Sequence, residues 1–171
     1  MKRLAIIPAR GGSKRIPDKN IKDFCGKPII SYSIEAAANT TLFDQIHVST
    51  DSKTIADIAT EAGYSPNFLR PKEFSGDHAP MMEAIKFVID EYESIGTSFD
   101  TVALIYATSP LIDFNDLKNA CESFEASNKS KPLLAVTPFP SPIEHAFRMK
   151  DNMDLCPDSE VSLSKRTQDL P

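Results

Sequence analysis

Leu4 to Ala9 reads LAIIPA, an unbroken apolar run that stops at a pair of glycines. A short continuous run of this kind matches a strand covered on both faces rather than a half-exposed one. PIISYSIEAAANT then switches to helical spacing, with Ile30, Ile34 and Ala37 on one stripe of a helix beginning near Pro28. IHVST is a second β-branched run. It leads into DSKTIADIATEAG, where an Asp or Ser cap precedes Ile55, Ile58 and Ala59 on one face and Gly63 closes the helix. A third helix is predicted from Pro80 to Ile95, with Ile85, Val88, Ile89 and Tyr92 spaced for burial. TVALIYATSP follows as a buried strand. FNDLKNACESFEAS is a capped helix turning Leu117, Ala120 and Phe124 inward, and PLLAVTPF is a further strand.

Strands that alternate with helices imply a mostly parallel sheet with helices on both sides, a three-layer α/β/α fold. The pattern weakens after residue 137, where Pro138, Pro140 and Pro142 crowd together. The chain is therefore read as one domain over residues 1–171, with a sheet core at 1–137 and an extension at 138–171 packed on the sheet or on another subunit. No internal repeat or low-complexity tract is present.

Composition narrows this little: 171 residues, 41% hydrophobic and 25% charged, are ordinary for a globular domain. Charge is more informative. The net charge of −5 opposes a general nucleic-acid or membrane-surface binder, which normally carries a basic field. Yet Lys2, Arg3, Arg10, Lys14, Arg15, Lys19 and Lys22 face one acid, Asp18, in the opening stretch. Any basic site is local and lies there. Cys25, Cys121 and Cys156 are far apart and form neither a disulfide framework nor a zinc pattern, which fits a reducing cytoplasm. No window reaches the roughly 18 apolar residues of a membrane span.

The basic stretch IPARGGSKRIPDKN follows the first strand, where open α/β sheets bind their ligands. Gly11 and Gly12 permit close backbone approach and Ser13 adds a hydroxyl. Arg10, Lys14, Arg15 and Lys19 supply charge that suits a polyphosphate. The spacing is neither that of a Walker loop nor that of a dinucleotide fingerprint. Of the histidines, His47 sits among apolar strand residues while His78 and His145 fall in loops, none with metal-ligand spacing, and all three read as structural. No serine elbow occurs around Ser13 or Ser109, and Met81 and Met82 read as core or pocket filling.

The run PARGGSKRIP-x-KNI, with GKPIISYSIEAA, VSTDS, FLRPKEFSGD and ATSPL after it, resembles the CMP-sialic acid synthetase family, the cytidylyltransferases that activate nine-carbon ulosonic acids. Within it, YATSP, VTPFPSPIEHAF and RTQDLP are similar to the pseudaminic acid branch, which serves flagellin glycosylation. The sialic acid branch has Gln and Pro where Tyr106 and Ala107 stand. The resemblance implies a Rossmann-like nucleotide-diphospho-sugar transferase fold, CTP and a nine-carbon sugar acid as partners, Mg²⁺ as cofactor and a cytoplasmic homodimer. It also implies roles. Arg10, Gly11, Gly12, Ser13, Lys14, Lys19 and Asn20 match the nucleotide motif, with Arg10 and Lys19 foremost as catalytic groups. Arg70 matches an Arg near the cytosine, although Phe74 stands where Leu is usual. Tyr106, Thr108, Ser109, Arg166 and Gln168 match the sugar side, with Arg166 suited to a carboxylate.

The family's late metal-binding aspartates lie past Pro171, which leaves Asp51 as a candidate metal ligand, its alternative role being a helix cap. Three functional readings follow. The first is a cytidylyltransferase for pseudaminic acid, with legionaminic or sialic acid as alternatives. The second is a truncated CTP-binding module without turnover. The third, an RNA-binding loop, has the acidic remainder of the chain against it.

Overall fold

Among the described residues three parallel strands form the main sheet, in the order β4-β1-β5, with β1 (Arg3–Pro8) between β4 (Gln45–Ser49) and β5 (Thr101–Leu104). The computed structural model describes residues 1–14, 16–76, 79–128, 131–137, 146–151 and 154–157. Two compact units divide the chain, Met1–Pro132 and Leu133–Pro171. Within the first, a tight hairpin of β2 (Asp23–Phe24) and β3 (Lys27–Pro28) precedes α1 (Ile29–Asn39), and α2 (Lys53–Glu61) follows β4. The remaining helices are α3 (Met81–Ser94) and α4 (Phe114–Ala126). In the second unit, β6 (Phe147–Met149) and β7 (Leu155–Pro157) pair antiparallel.

The LAIIPA run is a central strand because both its faces are covered. Ala5, Ile7 and Ala9 pack with Ile30, Ile34 and Ala37 of α1 and Ile55 and Ala59 of α2, while Leu4 and Ile6 pack on the other face with Ile85, Val88 and Tyr92 of α3. These faces make the three layers. Burying each such Leu or Ile contributes about 1.5–3 kcal/mol, so the continuous run that marks the strand in sequence also anchors the fold. Arg3 ties the start of β1 to α4 through a bidentate pair with Glu125, at 2.7 and 3.0 Å.

Helix ends follow the local chemistry. Ser52 rather than Asp51 caps α2, its Oγ accepting the Ile55 N–H at 3.5 Å. Past the helix Gly63 takes φ +88°, and the Tyr64 N–H bonds back to the Ala59 carbonyl at 2.8 Å, a Schellman closure. In α4 Asp113 caps the start, but Cys121 is the fully buried position, with Leu117, Ala120 and Phe124 only half-buried.

Two expectations are corrected. TVALIYATSP is a strand only over its first four residues, and at the edge of the sheet among the described residues its burial alternates: Thr101, Ile105 and Ala107 are buried while Val102 and Leu104 are exposed. PLLAVTPF forms no strand over residues 132–137, and Pro138 and Phe139 lie outside the described residues. Leu134 and Val136 are 76% and 88% exposed. An apolar run becomes a buried strand only where a neighbouring strand receives its backbone hydrogen bonds, and no such ladder forms over these residues.

His47 is buried on the α3 face of the sheet, sharing a 3.1 Å hydrogen bond with the Tyr92 hydroxyl and packing its ring on Phe68. Burial, aided by the charge of Arg70, pushes its pKa down to about 4, and burial pushes the Tyr92 hydroxyl up to about 12. Between pH 6.5 and 4 the unfolded chain therefore binds a proton at His47 that the native state refuses, so the native state loses stability as pH falls. The expected loss is of the order of 3 kcal/mol across that window. Denaturant midpoints from pH 7 to 4 should show this slope, and His47→Gln should flatten it; an unchanged slope in the variant would refute the assignment.

Candidate functional site

At the carboxyl ends of β1 and β5 the first unit holds a cavity of about 280 Å³. Pro8, Arg10, Ser13, Lys19 and Asn20 line it from the glycine loop, Arg70, Phe74 and Gly76 from the segment before α3, Met81 and Ala84 from α3, and Tyr106, Ala107 and Thr108 from the end of β5. The described lining has three cations, Arg10, Lys19 and Arg70, and no carboxylate. That balance selects for anions.

The loop is held from both ends. Ala9 donates its N–H to the Ser49 carbonyl at 2.9 Å, continuing the β1–β4 ladder past the strand. Asn20 is buried and donates its side-chain amide to the Arg10 carbonyl at 2.9 Å, which closes the loop on itself. Lys19 and Asn20 sit in a 3-10 turn that begins after Asp18, a residue in the left-handed conformation (φ 50°). Of the two glycines, Gly11 is the sterically demanding one: a Cβ there would lie 3.0 Å from Ser52 Cβ, whereas Gly12 has nothing within 4 Å.

Arg70 is only 6% exposed. Its N–H reaches the Thr50 carbonyl at 2.7 Å and its Nε donates to Ser75 Oγ at 3.2 Å. Burial lowers its pKa from the ordinary arginine value, Asp51 opposes that, and the nearby Arg10 adds to it. A guanidinium nonetheless remains charged in water-accessible sites. A buried cation facing other cations across a cavity is stabilised when an anion enters. Phe74, beside it, stacks on Phe87 at 5.0 Å between ring centroids.

Seven of the candidate residues from the sequence therefore share one cavity: Arg10, Ser13, Lys19, Asn20, Arg70, Tyr106 and Thr108. Gly11 lines an adjoining hollow of about 170 Å³ with Arg10, Asn20 and Ser52. Gly12, Lys14 and Ser109 line neither. Arg166, Gln168, Arg15, His78 and His145 lie outside the described residues. Among the described residues no group of three metal-ligating side chains comes together, so they do not by themselves build a divalent-metal site. Asp51 instead accepts the Gly11 N–H at 2.9 Å. No described helix is long and apolar enough to cross a membrane.

One contributor escaped the sequence reading. Ser33 of α1 is fully buried and donates its hydroxyl to the Tyr106 carbonyl at 2.8 Å, fixing the turn that carries Tyr106, Ala107 and Thr108. Its signal was a single polar residue inside the apolar stripe of α1.

A family model described as cytidylyltransferase matches residues 4–160. A pseudaminic acid cytidylyltransferase of Campylobacter jejuni subsp. jejuni serotype O:23/36 (strain 81-176) is 45% identical over 170 residues, 99% of this chain and 73% of that protein. A CMP-N,N'-diacetyllegionaminic acid synthase of Legionella pneumophila subsp. pneumophila (strain Philadelphia 1) is 36% identical, over 81% of this chain and 59% of that protein. An N-acylneuraminate cytidylyltransferase of Escherichia coli O18:K1:H7 is 36% identical over 78% of this chain and 31% of its own length. Among solved structures, a CMP:2-keto-3-deoxy-manno-octonic acid synthetase complexed with CTP superposes with a TM-score of 0.64 at 22% identity, over 75% of this chain and 49% of that one. At that identity the superposition establishes the fold alone, a Rossmann-like α/β sheet.

Proposed function

The chain belongs to the cytidylyltransferase family, and from that premise we propose that it activates a nine-carbon ulosonic acid, pseudaminic acid in the first place, with CTP to give the CMP-sugar and pyrophosphate. The observation that carries this is the cavity in which Arg10, Lys19 and Arg70 converge at the strand ends without a carboxylate among its described lining. The higher identity to the Campylobacter jejuni pseudaminic acid enzyme, 45% against 36–38% for the legionaminic and sialic acid enzymes, supports this choice of sugar.

In this reading the anomeric hydroxyl attacks the α-phosphorus of CTP. A P–O bond to the sugar forms, the bond from the α-phosphorus to the oxygen bridging to the β-phosphate breaks to release pyrophosphate, and the hydroxyl proton passes to water. Negative charge collects on the non-bridging and leaving oxygens, so catalysis consists largely of positioning and electrostatics. Arg10 and Lys19 stabilise that charge, with Ser13, Lys14 and the Gly11–Gly12 backbone around the triphosphate, and Asn20 holds the loop. Arg70, beside Phe74, faces the nucleoside. Tyr106, Thr108 and Ser109 form the sugar side, and Arg166 with Gln168 receive the acid's carboxylate. When bound with the triphosphate, Mg²⁺ would offset part of its charge, and the enzyme works as a cytoplasmic homodimer whose product serves flagellin glycosylation.

Calorimetric titration with CTP, followed by pyrophosphate release with pseudaminic, legionaminic and sialic acids, tests the proposal. CTP binding with turnover of pseudaminic acid is expected. Turnover of sialic acid alone would refute the sugar assignment, and binding without turnover of any acid would leave a CTP-binding module. Ser33→Ala adds a local check. Loss of the Tyr106 carbonyl's partner costs about 1 kcal/mol, and it is expected to raise the KM for the sugar several-fold while leaving CTP affinity near wild type. A change confined to CTP would place Tyr106 on the wrong side of the site.

A further inference from the structure

Asp51 stands just beyond β4, at a junction where three segments of chain meet. Ser49 receives the Ala9 N–H at 2.9 Å, Thr50 receives the Arg70 N–H at 2.7 Å on its carbonyl, and Thr50 Oγ1 receives the Ser52 N–H at 3.1 Å. The same four residues thus hold the start of the glycine loop and the segment that carries Arg70. Asp51 completes the set by accepting the Gly11 N–H on Oδ1 at 2.9 Å. Capping of α2 falls to Ser52, and no metal-ligating cluster includes Asp51 among the described residues. Its Oδ1 is therefore engaged with the loop.

We infer that Asp51 is a positioning residue, a latch that fixes Gly11 against the end of β4 and so preforms the cationic loop for phosphate. This rests on the proposal that the loop receives the triphosphate of CTP. Two further observations support it. Gly11 approaches so closely that an added Cβ would sit 3.0 Å from Ser52 Cβ, so the latch requires glycine at that position. Arg70 and Arg10 repel each other, and Asp51 is the anion that opposes the effect of burial on Arg70. The hydrogen bond from Gly11 thereby orients the loop before the ligand arrives, lowering the ordering cost of binding.

The test is calorimetric titration of CTP into the full chain and its variants, with melting temperatures measured alongside. Asp51→Ala is expected to weaken CTP binding about tenfold, whereas Asp51→Asn, whose Oδ1 still accepts the Gly11 N–H, stays within about threefold of wild type. Gly11→Ala attacks the latch from the other side and is expected to weaken binding to a similar degree. The double variant Gly11→Ala with Asp51→Ala should then lose no more than the weaker single variant, because both remove one device. Unchanged binding in Asp51→Ala, equal loss in Asp51→Asn and Asp51→Ala, or losses that multiply in the double variant would each overturn the latch. If Asp51→Ala does not fold, the other two variants decide: wild-type affinity in Gly11→Ala, or a loss well beyond threefold in Asp51→Asn, would overturn the latch. Failure of the wild-type chain to bind CTP at all would overturn the functional reading together with this inference, whereas wild-type binding that the variants leave untouched overturns the latch alone.

Discussion

Alanine at both Arg10 and Lys19 is expected to lower the affinity for CTP at least about a hundredfold. Each side chain lines the cavity at the end of β1. A charge-assisted hydrogen bond to phosphate contributes about 1.5–3 kcal/mol, so two together, about 3–6 kcal/mol, exceed the roughly 2.7 kcal/mol that separates affinities by two decades. Neither residue belongs to the buried core, and the melting temperature should move little. Titration calorimetry at fixed ionic strength gives the answer, since exposed charge is screened by salt. Single variants should each lose part of the effect. Wild-type affinity in the double variant would remove the loop from the nucleotide site and with it the phosphate assignment.

The second large effect is on stability. Tyr92 is 2% exposed and lies at the centre of the aromatic cluster under the sheet, with ring contacts to His47, Phe68 and Phe99 at 5.3 to 5.5 Å. Tyr92→Ala is expected to cost about 3–5 kcal/mol, the usual penalty for emptying a large buried aromatic site. Tyr92→Phe keeps the volume and removes only the hydroxyl bonded to His47, so its cost should be about 1 kcal/mol. Denaturant unfolding of both variants distinguishes packing from hydrogen bonding. Equal losses would assign the role of Tyr92 to the hydroxyl alone. Because Phe68 stands two residues before Arg70, this cluster also supports one wall of the site.

Much of this architecture was legible in one dimension. Ile30, Ile34 and Ala37 announced α1, Ile85, Val88, Ile89 and Tyr92 announced α3, and LAIIPA announced a strand covered on both faces; all the helix positions are buried as their spacing required except Ile89, which is half-buried. Hydrophobic periodicity is a local property, and a helix or central strand needs little more than a face to bury. The basic loop was equally plain, because glycine, serine and clustered charge at a strand end have few structural uses. The signal failed where burial depended on a neighbour. PLLAVTPF has the apolar content of a strand, but residues 132–137 form none. The β2–β3 hairpin passed unnoticed because two residues on either side of Cys25 and Gly26 carry no periodicity, although those two adopt φ 52° and 91°.

Asp51 shows the same limit within the site. From sequence it was a candidate metal ligand or a helix cap; in the structure Ser52 takes the cap, and Asp51 accepts a hydrogen bond from Gly11, forty residues earlier in the chain. Ser33 and Tyr106, seventy-three residues apart, meet in the same way. By itself the sequence determined the helices, the central strand, the cationic loop and the class of ligand that such a loop attracts, because apolar periodicity and charge density act through near neighbours along the chain. Only the tertiary structure decided which carboxylate holds the loop, which serine sets the turn at Tyr106 and which apolar runs find a sheet, because a single hydrogen bond between distant residues contributes about 1 kcal/mol and leaves no periodic trace, and its partner is chosen by the packing of the whole sheet.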